Sequence, residues 1–514
     1  MLTGINRRHV LKTGAATAAL IGFGFNAASG QTPKRGGHLR LGVGHGSATD
    51  TLDPATFPDA YMQLVGYALR STLTEVLPSG DIGGDLADSW DMSKDAKTWT
   101  FQLHKGVEFH DGKPLEASDV VASINHHRGE KSSSAGIALV EPIDDIKADG
   151  KSVVIFTLKE SMSDFDAFLS VYFLSVMPSK DGIVDWKSGI GTGGYKLVRF
   201  EPGLRTALER NPNYFRPDRA YFDSADVLCI KDATARVSAL LGGNVDVIDN
   251  IDPKTVNLLS RSSAIKVEEA SGSLHYAFPM RCDTAPFNDL NVRLAIKYGV
   301  DREALVKTIL QGQGYVGNDH PIGRKQKYFS EDLPQRVYDP EKARFHLKKA
   351  GMDSLKVELT VSDAAFPGAI DTGALLREQE GKAGIELAVS RVPSDGYWSD
   401  IWMKKPWCAS YWSGGVTPNY IFSHAYSANA NWNEAFWQNE EFNKILIAAR
   451  SELDEAKRGE MYGELQRLVS DYGGSVIPMF ANFVTARSNK ISHGDVASNY
   501  ELDGTRAIER WWFT

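Results

Sequence analysis

Two stretches of this chain read as strand–helix–strand, a pattern that few folds accommodate. In the first, Val227–Lys231 and Val245–Ile248 flank the helical run Ala233–Leu241. In the second, Lys356–Val361 and Ile385–Val392 flank a helix around Gly368 to Ala383. β-Branched runs on either side of a helix call for parallel strands joined by a right-handed crossover. More than a hundred residues separate the two units, so the expectation is an α/β protein with two lobes. At roughly 150 residues per domain, 514 residues supply about three domains, each large enough for a core. Helix punctuation agrees. Asp339 caps a helix with Pro340 at its first position, and Gly351 ends it in a left-handed turn. Asp301 caps Arg302–Leu310, and Asn439 caps a helix opening on Glu440 and Glu441, whose acids suit the positive end of the macrodipole. A helix is expected at Ser118–His126 and a strand at Ser152–Leu158. There is no internal repeat and no long Pro/Gly/Ser tract, so short strand crossings rather than a tether should join the lobes.

The N-terminus reads as an address. Arg7, Arg8 and Lys12 precede an apolar stretch from Thr13 to Phe25 and a small-residue exit, Ala27–Gly30. This is the pattern of a bacterial export signal of the twin-arginine type, with cleavage near Ala28 to Gly30. The apolar stretch is shorter than the ~20 residues that span a bilayer. No cysteine lies near the exit, which excludes lipid attachment there, and the mature protein is expected to be soluble and outside the cytoplasm. The net charge of −8 becomes more negative without the signal, which argues against nucleic acid or an anionic membrane as partner. Cys229, Cys282 and Cys408 are far apart, close at most one disulfide and offer no zinc spacing.

Motifs for chemistry are mostly negative. Gly189–Gly194 satisfies a dinucleotide-type glycine pattern, but Tyr195–Phe200 after it alternates like a strand, not a helix N-terminus. A glycine-rich turn is the better reading, with backbone bare enough to line a ligand cavity. Gly106–Lys113 has one residue too many for a phosphate loop, and Pro114 stands where a Ser or Thr is needed. Zinc-protease and nucleophile-elbow motifs are absent, and the adjacent His126 and His127 would point to different sides of a helix.

Aromatic residues are the unusual feature. Six of eleven tryptophans fall between Trp398 and Trp437, interleaved with Tyr397, Tyr411, Tyr420 and Tyr426. Core packing accounts for some of them. Tyr411–Gly415 and Asn429–Asn433, however, mix rings with small and polar residues, as a cavity wall does.

The chain resembles the family-5 extracellular solute-binding proteins of ABC importers, the dipeptide-, oligopeptide- and nickel-binding group. The resemblance rests on Gly36–Leu41 with Thr51–Pro54, Leu86–Trp90, Trp99–Gly112, Glu116–Val121, Gly191–Tyr195, Arg210–Phe215, and Asn291–Ile296 with Val300–Arg302. It implies an α/β, bilobal periplasmic-binding-protein (flytrap) fold of the large peptide-binding type. After the signal at 1–30, lobe I would comprise 31–58, 190–272 and 483–514, its extra subdomain 59–189, and lobe II 273–482. A monomer in the periplasm would enclose a small-molecule ligand at the hinge cleft and hand it to membrane permease subunits driven by cytoplasmic ATPases. Neither catalysis, a cofactor nor a metal is expected.

Two departures bear on the ligand. Peptide binders of this family carry an aspartate after the cleft tryptophan to pair with the peptide's α-ammonium, whereas Trp412–Asn419 has no acid. Arg281 stands where many members have a neutral stretch; in the cleft it would favour a carboxylate-bearing solute, and otherwise it pairs with Asp283. The expected ligand residues are Arg281, Trp398, Tyr411, Trp412, Ser413, Gly414, Asn431, Trp432 and Thr192, for a peptide, opine-like or other carboxylate-bearing compound. The alternatives are a metal or haem carrier using His45, His275 and His424, or a secreted hydrolase.

Overall fold

The first strand–helix–strand unit forms with one addition. In the computed structural model, which describes residues 33–514 apart from positions 58, 130–131, 394–395 and 429, its parts are Ser224–Cys229, Ala233–Leu241 and Val247–Ile248. The export signal expected over 1–30 lies outside the described residues. Strand His38–Val43 inserts between the two strands and runs parallel to both, with Leu41 opposite Val227 on one side and Val247 on the other. Ser224–Cys229 continues antiparallel into Arg205–Arg210 and Tyr195–Glu201. Beyond Val247–Ile248 comes the long strand Ser475–Ser488, paired in turn with Ile265–Pro279. Gly314–Val316 and Ser410–Trp412 complete a nine-stranded sheet among the described residues.

Among the described residues the buried side chains divide into separate cores. One core joins Leu39, Phe101, Phe156, Phe222 and Trp511, and another joins Phe278, Ile296, Leu359, Leu376 and Trp407. Ile265–Ser271 pairs with Ser488–Asn482, the register then slips, and pairing resumes with His275 opposite Phe480. Gly272, Ser273 and Leu274 sit at the slip, where a bulge bends and twists the strand. The result is a bilobal α/β fold crossed at a strand pair.

In the second unit, Leu355–Val361 and Ile385–Arg391 are direct parallel neighbours, with helix Ala369–Lys382 between them in sequence. Single bridges from Thr360 to Cys408 and from Met280 to Trp407 tie this pair to the main sheet. The expected caps form: Asp339, Asp301 and Asn439 accept the N–H of Lys342, Ala304 and Phe442. Between His38–Val43 and Tyr195–Glu201 the chain inserts a four-stranded antiparallel sheet that includes Val153–Leu158, with helix Ala117–Asn125 against it.

The C-terminus locks this insert to the first lobe. Buried Glu75 contacts Arg216 at 2.8 Å and Arg510 at 3.0 Å, and buried Asp85 contacts Arg216 at 3.2 Å and Arg506 at 3.1 Å. Glu509 lies 2.8 Å from Arg219 and 3.1 Å from Arg506. Burial opposes ionisation of Glu75 and Glu509, but the guanidiniums outweigh it and hold both below the usual carboxylate range. All three cysteines are free. Among the described residues no helix is long and apolar enough to cross a membrane.

Candidate functional site: an aromatic wall and a carboxylate cluster

The edge strand Ser410–Trp412 pairs with His275–Ala277 and alternates its side chains across the sheet. Ser410 and Trp412 converge on one buried carboxylate: Ser410 Oγ donates to Glu434 Oε2 at 2.8 Å and Trp412 Nε1 to Oε1 at 2.9 Å. Trp402 Nε1 supplies a third donor at 2.6 Å. Burial pushes the Glu434 pKa up while the three donors pull against it. The carboxylate thereby fixes the orientation of two indoles.

Around it the rings form a chain. Tyr411 packs edge-on to Trp398 at 5.7 Å, Trp398 to Trp402 at 5.7 Å, and Trp402 to Trp432 at 6.0 Å. Trp432 also meets Trp412 at 5.9 Å and His424 at 4.5 Å, and His424 stacks on Tyr420 at 5.2 Å. Trp398, Tyr411 and Trp432 remain 41%, 40% and 41% exposed despite touching this chain of rings. Contiguous exposed rings beside ordered polar groups mark a binding surface.

A second feature is a cluster of charge. His45 and Asp249 follow the carboxyl ends of the neighbouring parallel strands His38–Val43 and Val247–Ile248, the end at which α/β sheets bind ligands. Glu501 joins them, so that one ligand atom of each lies within 4.8 Å of the others. Asp249 is fully buried: Oδ1 accepts the Gly44 N–H at 2.8 Å and lies 3.5 Å from Arg236, while Oδ2 has no partner. Burial and the charge of Asp249 push Glu501 up to about 7. Burial disfavours the His45 imidazolium, yet Glu501 and Asp249 outweigh it and raise its pKa. Burial raises the Tyr411 pKa, and the charges of Glu501 and Asp59 add to it.

A left-handed turn presents Glu501. Leu502, Asp503, Gly504 and Thr505 all have φ between +51° and +64°. Side-chain residues in this region cost ~1–2 kcal/mol each. Asp503 holds the turn, accepting from Ala497 N–H at 2.8 Å, Arg510 at 3.0 Å and Trp511 Nε1 at 3.1 Å.

The insert also touches the segment after Trp412 directly. Asp164 of the insert accepts from Thr417 Oγ1 at 2.8 Å and Asn419 Nδ2 at 2.9 Å. Phe168 meets Tyr420 edge-on at 6.0 Å, and Ser163 N–H donates to the Arg450 carbonyl at 2.8 Å.

Of the expected residues, Trp398, Tyr411, Trp412 and Trp432 come together in the wall, and exposed Asn431 adjoins it in sequence. The Ser413 carbonyl accepts the Ser273 hydroxyl at 3.1 Å. Gly414 packs on the same serine: a Cβ there would lie 2.0 Å from Ser273 Oγ. These two positions join the wall to the strand slip. Of the two readings of Arg281, the pair with Asp283 is the one that forms. Its Nε and Nη2 donate to Asp283 at 3.0 and 2.7 Å, Nη1 donates to the Met403 carbonyl at 3.2 Å, and the guanidinium lies 4.0 Å from the Phe436 ring centre. These contacts occupy the bidentate face that a ligand carboxylate would need.

Thr192 also lies elsewhere. It is buried beside Gly191 and Gly193, where a Cβ would lie 2.1 Å from the Leu69 carbonyl and 2.4 Å from that of Ala68. These glycines seat the turn on the C-terminal end of helix Ala60–Leu69, about 15 Å along that helix from Asp59. The three histidines proposed for a metal do not converge. His45 belongs to the carboxylate cluster, His275 is buried 5.2 Å from Phe480, and His424 sits among the rings.

Sequence reasoning missed Glu434, one residue beyond the Asn429–Asn433 run, and Asp249 and Glu501. The strand Val245–Ile248 was the available signal for Asp249, since a ligand group belongs at its carboxyl end. Cavities of about 670 Å³ beside Trp186 and about 440 Å³ beside Phe329 lie away from the wall.

The model of the bacterial extracellular solute-binding proteins, family 5, matches residues 81–434. The chain belongs to this family. It is 25% identical to the dipeptide-binding protein of Escherichia coli K12 over 83% of this chain and 84% of that protein. The periplasmic binding protein DppA from Helicobacter pylori, solved in complex with the peptide STSA, superposes with a TM-score of 0.80 at 21% identity, covering 93% of this chain and 99% of that one. NikZ from Campylobacter jejuni, solved with Ni(L-His), gives 0.81 at 22% identity over 92% and 99%. The family-5 fold thus extends over nearly all described residues.

Proposed function

We propose that this family-5 protein is a periplasmic capture protein, a monomer that encloses a small organic solute and delivers it to an ABC permease driven by cytoplasmic ATPases. The observation that carries this reading is the exposed wall of Trp398, Tyr411 and Trp432 in a family-5 fold crossed at one strand pair, with a carboxylate cluster at the sheet's strand ends. Such a construction stores no chemistry and responds to a ligand by closing. Contacts made only with solute present shift the population from open to closed. In this reading lobe II is 273–482, lobe I is 31–58, 190–272 and 483–514, and 59–189 is the extra subdomain. The relatives' ligands, a peptide and a nickel–histidine complex, favour small polar solutes. The twin-arginine stretch at 1–30 supports export of the folded chain.

The test is small-angle scattering with mass spectrometry of the solute that copurifies. Compaction on adding back that solute, recovered intact, is the expected result; a chemically altered solute would make the protein an enzyme. Replacing Arg7 and Arg8 with lysine should trap the precursor in the cytoplasm, and unchanged export would remove the twin-arginine assignment.

A further inference from the structure

We propose that the solute carries an uncharged aromatic ring, seated against the exposed rings of Trp398, Tyr411 and Trp432. This rests on the solute-binding reading above and names the ligand's chemistry.

The first observation is where exposed rings lie. Among the described residues five aromatic side chains are exposed, and two of them pack elsewhere, Phe345 on His346 and Tyr472 beside Arg467. The other three, including both exposed tryptophans, belong to one run of ring contacts. The second observation is area. Taking ~150–250 Å² for a whole ring, their exposed fractions leave roughly 200–300 Å² open. One aromatic group of a small ligand covers that much, whereas a stable protein interface needs about 800 Å² from each partner.

The third observation is geometry. Tyr411 meets Trp398 at 67°, Trp398 meets Trp402 at 77°, and Trp402 meets Trp432 at 75°. Successive rings therefore turn face and edge by turns. An aromatic ligand answers both, with a negative face for each edge and a positive edge for each face. The wall is also held still. Both exposed indoles pack on Trp402, whose Nε1 donates to Glu434 at 2.6 Å, so little side-chain freedom remains to be lost on binding.

The polar groups at the wall select against other chemistries. Glu434 spends its oxygens on Ser410, Trp402 and Trp412, and burial keeps His424 neutral with a pKa of about 4. Neither offers a free charge to an ionised ring. A sugar would bring hydroxyls that need partners, yet the indole N–H groups of Trp402 and Trp412 are already spent.

The experiment uses the mature protein, stripped of any copurified solute by unfolding and refolding, and calorimetry with matched probes. N-acetylphenylalaninamide carries the ring, N-acetylcyclohexylalaninamide is its saturated counterpart, and methyl glucoside supplies a sugar. Phenylacetate and phenylethylammonium carry the ring with a charge of either sign. The phenyl amide should bind about three- to tenfold more tightly than the cyclohexyl amide, although the latter is the more apolar, and more tightly than the other three. Trp398→Leu and Trp432→Leu keep an apolar surface. Each should weaken the phenyl amide about tenfold and bring the two amides to nearly equal affinity. Melting curves matching wild type establish that the variants are folded; if one melts early, the wild-type ratio of the two amides decides.

Equal or tighter binding of the cyclohexyl amide, the glucoside or a charged ring overturns the proposal, as does failure of the phenyl amide to bind. Concentration-dependent dimerisation abolished by Trp432→Leu would mean that a second copy covers the wall instead. Compaction with a solute that lacks a ring would leave the solute-binding reading standing while removing this one. Ring preference without compaction would remove the closing and keep the ring site.

Discussion

Glu434 is surrounded by three donors and has no donor of its own, so its replacement has a directional consequence. In Glu434→Gln, whichever way the amide is turned, its NH₂ faces at least one of Trp402, Ser410 and Trp412 Nε1 or Oγ groups that formerly met an oxygen. The variant should lose about 1–3 kcal/mol of stability, read from denaturant unfolding, and its tryptophan emission should shift as the indoles loosen. His275 makes a second residue-level case. Its Nδ1 donates to the Ser273 carbonyl at 2.9 Å, its Nε2 has no partner, and burial holds its pKa at about 4 against an ordinary 6.5. Above pH 6.5 both folded and unfolded chains hold it neutral. As pH falls towards 4 the unfolded chain takes up the proton first, so this contribution to stability is lost over that window. Replacing His275 with Asn should therefore flatten the pH dependence, removing about 2 kcal/mol of the stability difference between pH 7 and pH 5. An unchanged slope would mean that the ring finds a partner for its proton. Arg281 shows what sequence leaves open at this scale: its neighbour Asp283 was visible, but only a rotamer decides whether a guanidinium turns towards that neighbour or a cleft.

At the scale of elements, the strand slip and the wall are coupled through one glycine. Gly414 has φ of +92° and packs on Ser273 at the slip in strand Ile265–Pro279. Gly414→Ala combines a left-handed strain with overlap and should cost about 2–3 kcal/mol. Adding Ser273→Gly should restore part of that loss by removing the overlapped atoms; a double mutant no more stable than the single would leave strain alone as the cause. The same scale shows where sequence patterning worked. The strand–helix–strand units and the helix caps were legible because periodicity and capping are local. Insertion of His38–Val43 between Ser224–Cys229 and Val247–Ile248 was not, since no local pattern says which distant strand fills a parallel slot. Likewise, the glycine run Gly189–Gly194 announced close approach, and only packing showed that the partner is helix backbone rather than ligand.

For the whole molecule, the closing proposed above makes the contacts between the insert and the second lobe a control on the balance of states. Asp164 with Thr417 and Asn419, and Ser163 with Arg450, stabilise the arrangement in which the lobes meet. A ligand's apparent affinity falls with the fraction of binding-competent molecules, so contacts that favour closure raise it. Asp164→Ala should expand the ligand-free protein in scattering and weaken solute binding about tenfold without touching the wall, mainly through faster release. Equal affinity would place this contact outside the closing transition. The bilobal plan itself was readable from two separated α/β units and the family motifs, whereas the charge cluster depended on residues 45, 249 and 501, whose meeting no spacing encodes.

The path of the chain also governs when it can fold. The strand Ser475–Ser488 fills the sheet beside Val247–Ile248, and Arg506 and Arg510 reach buried carboxylates near the start of the chain, Glu75 and Asp85. A ribosome has therefore made nearly the whole polypeptide before the first lobe has its last strand or its buried acids their full set of counter-charges. Assembly of that lobe belongs to the interval after synthesis, and shortening the chain ahead of Arg506 should disable the lobe that was translated first.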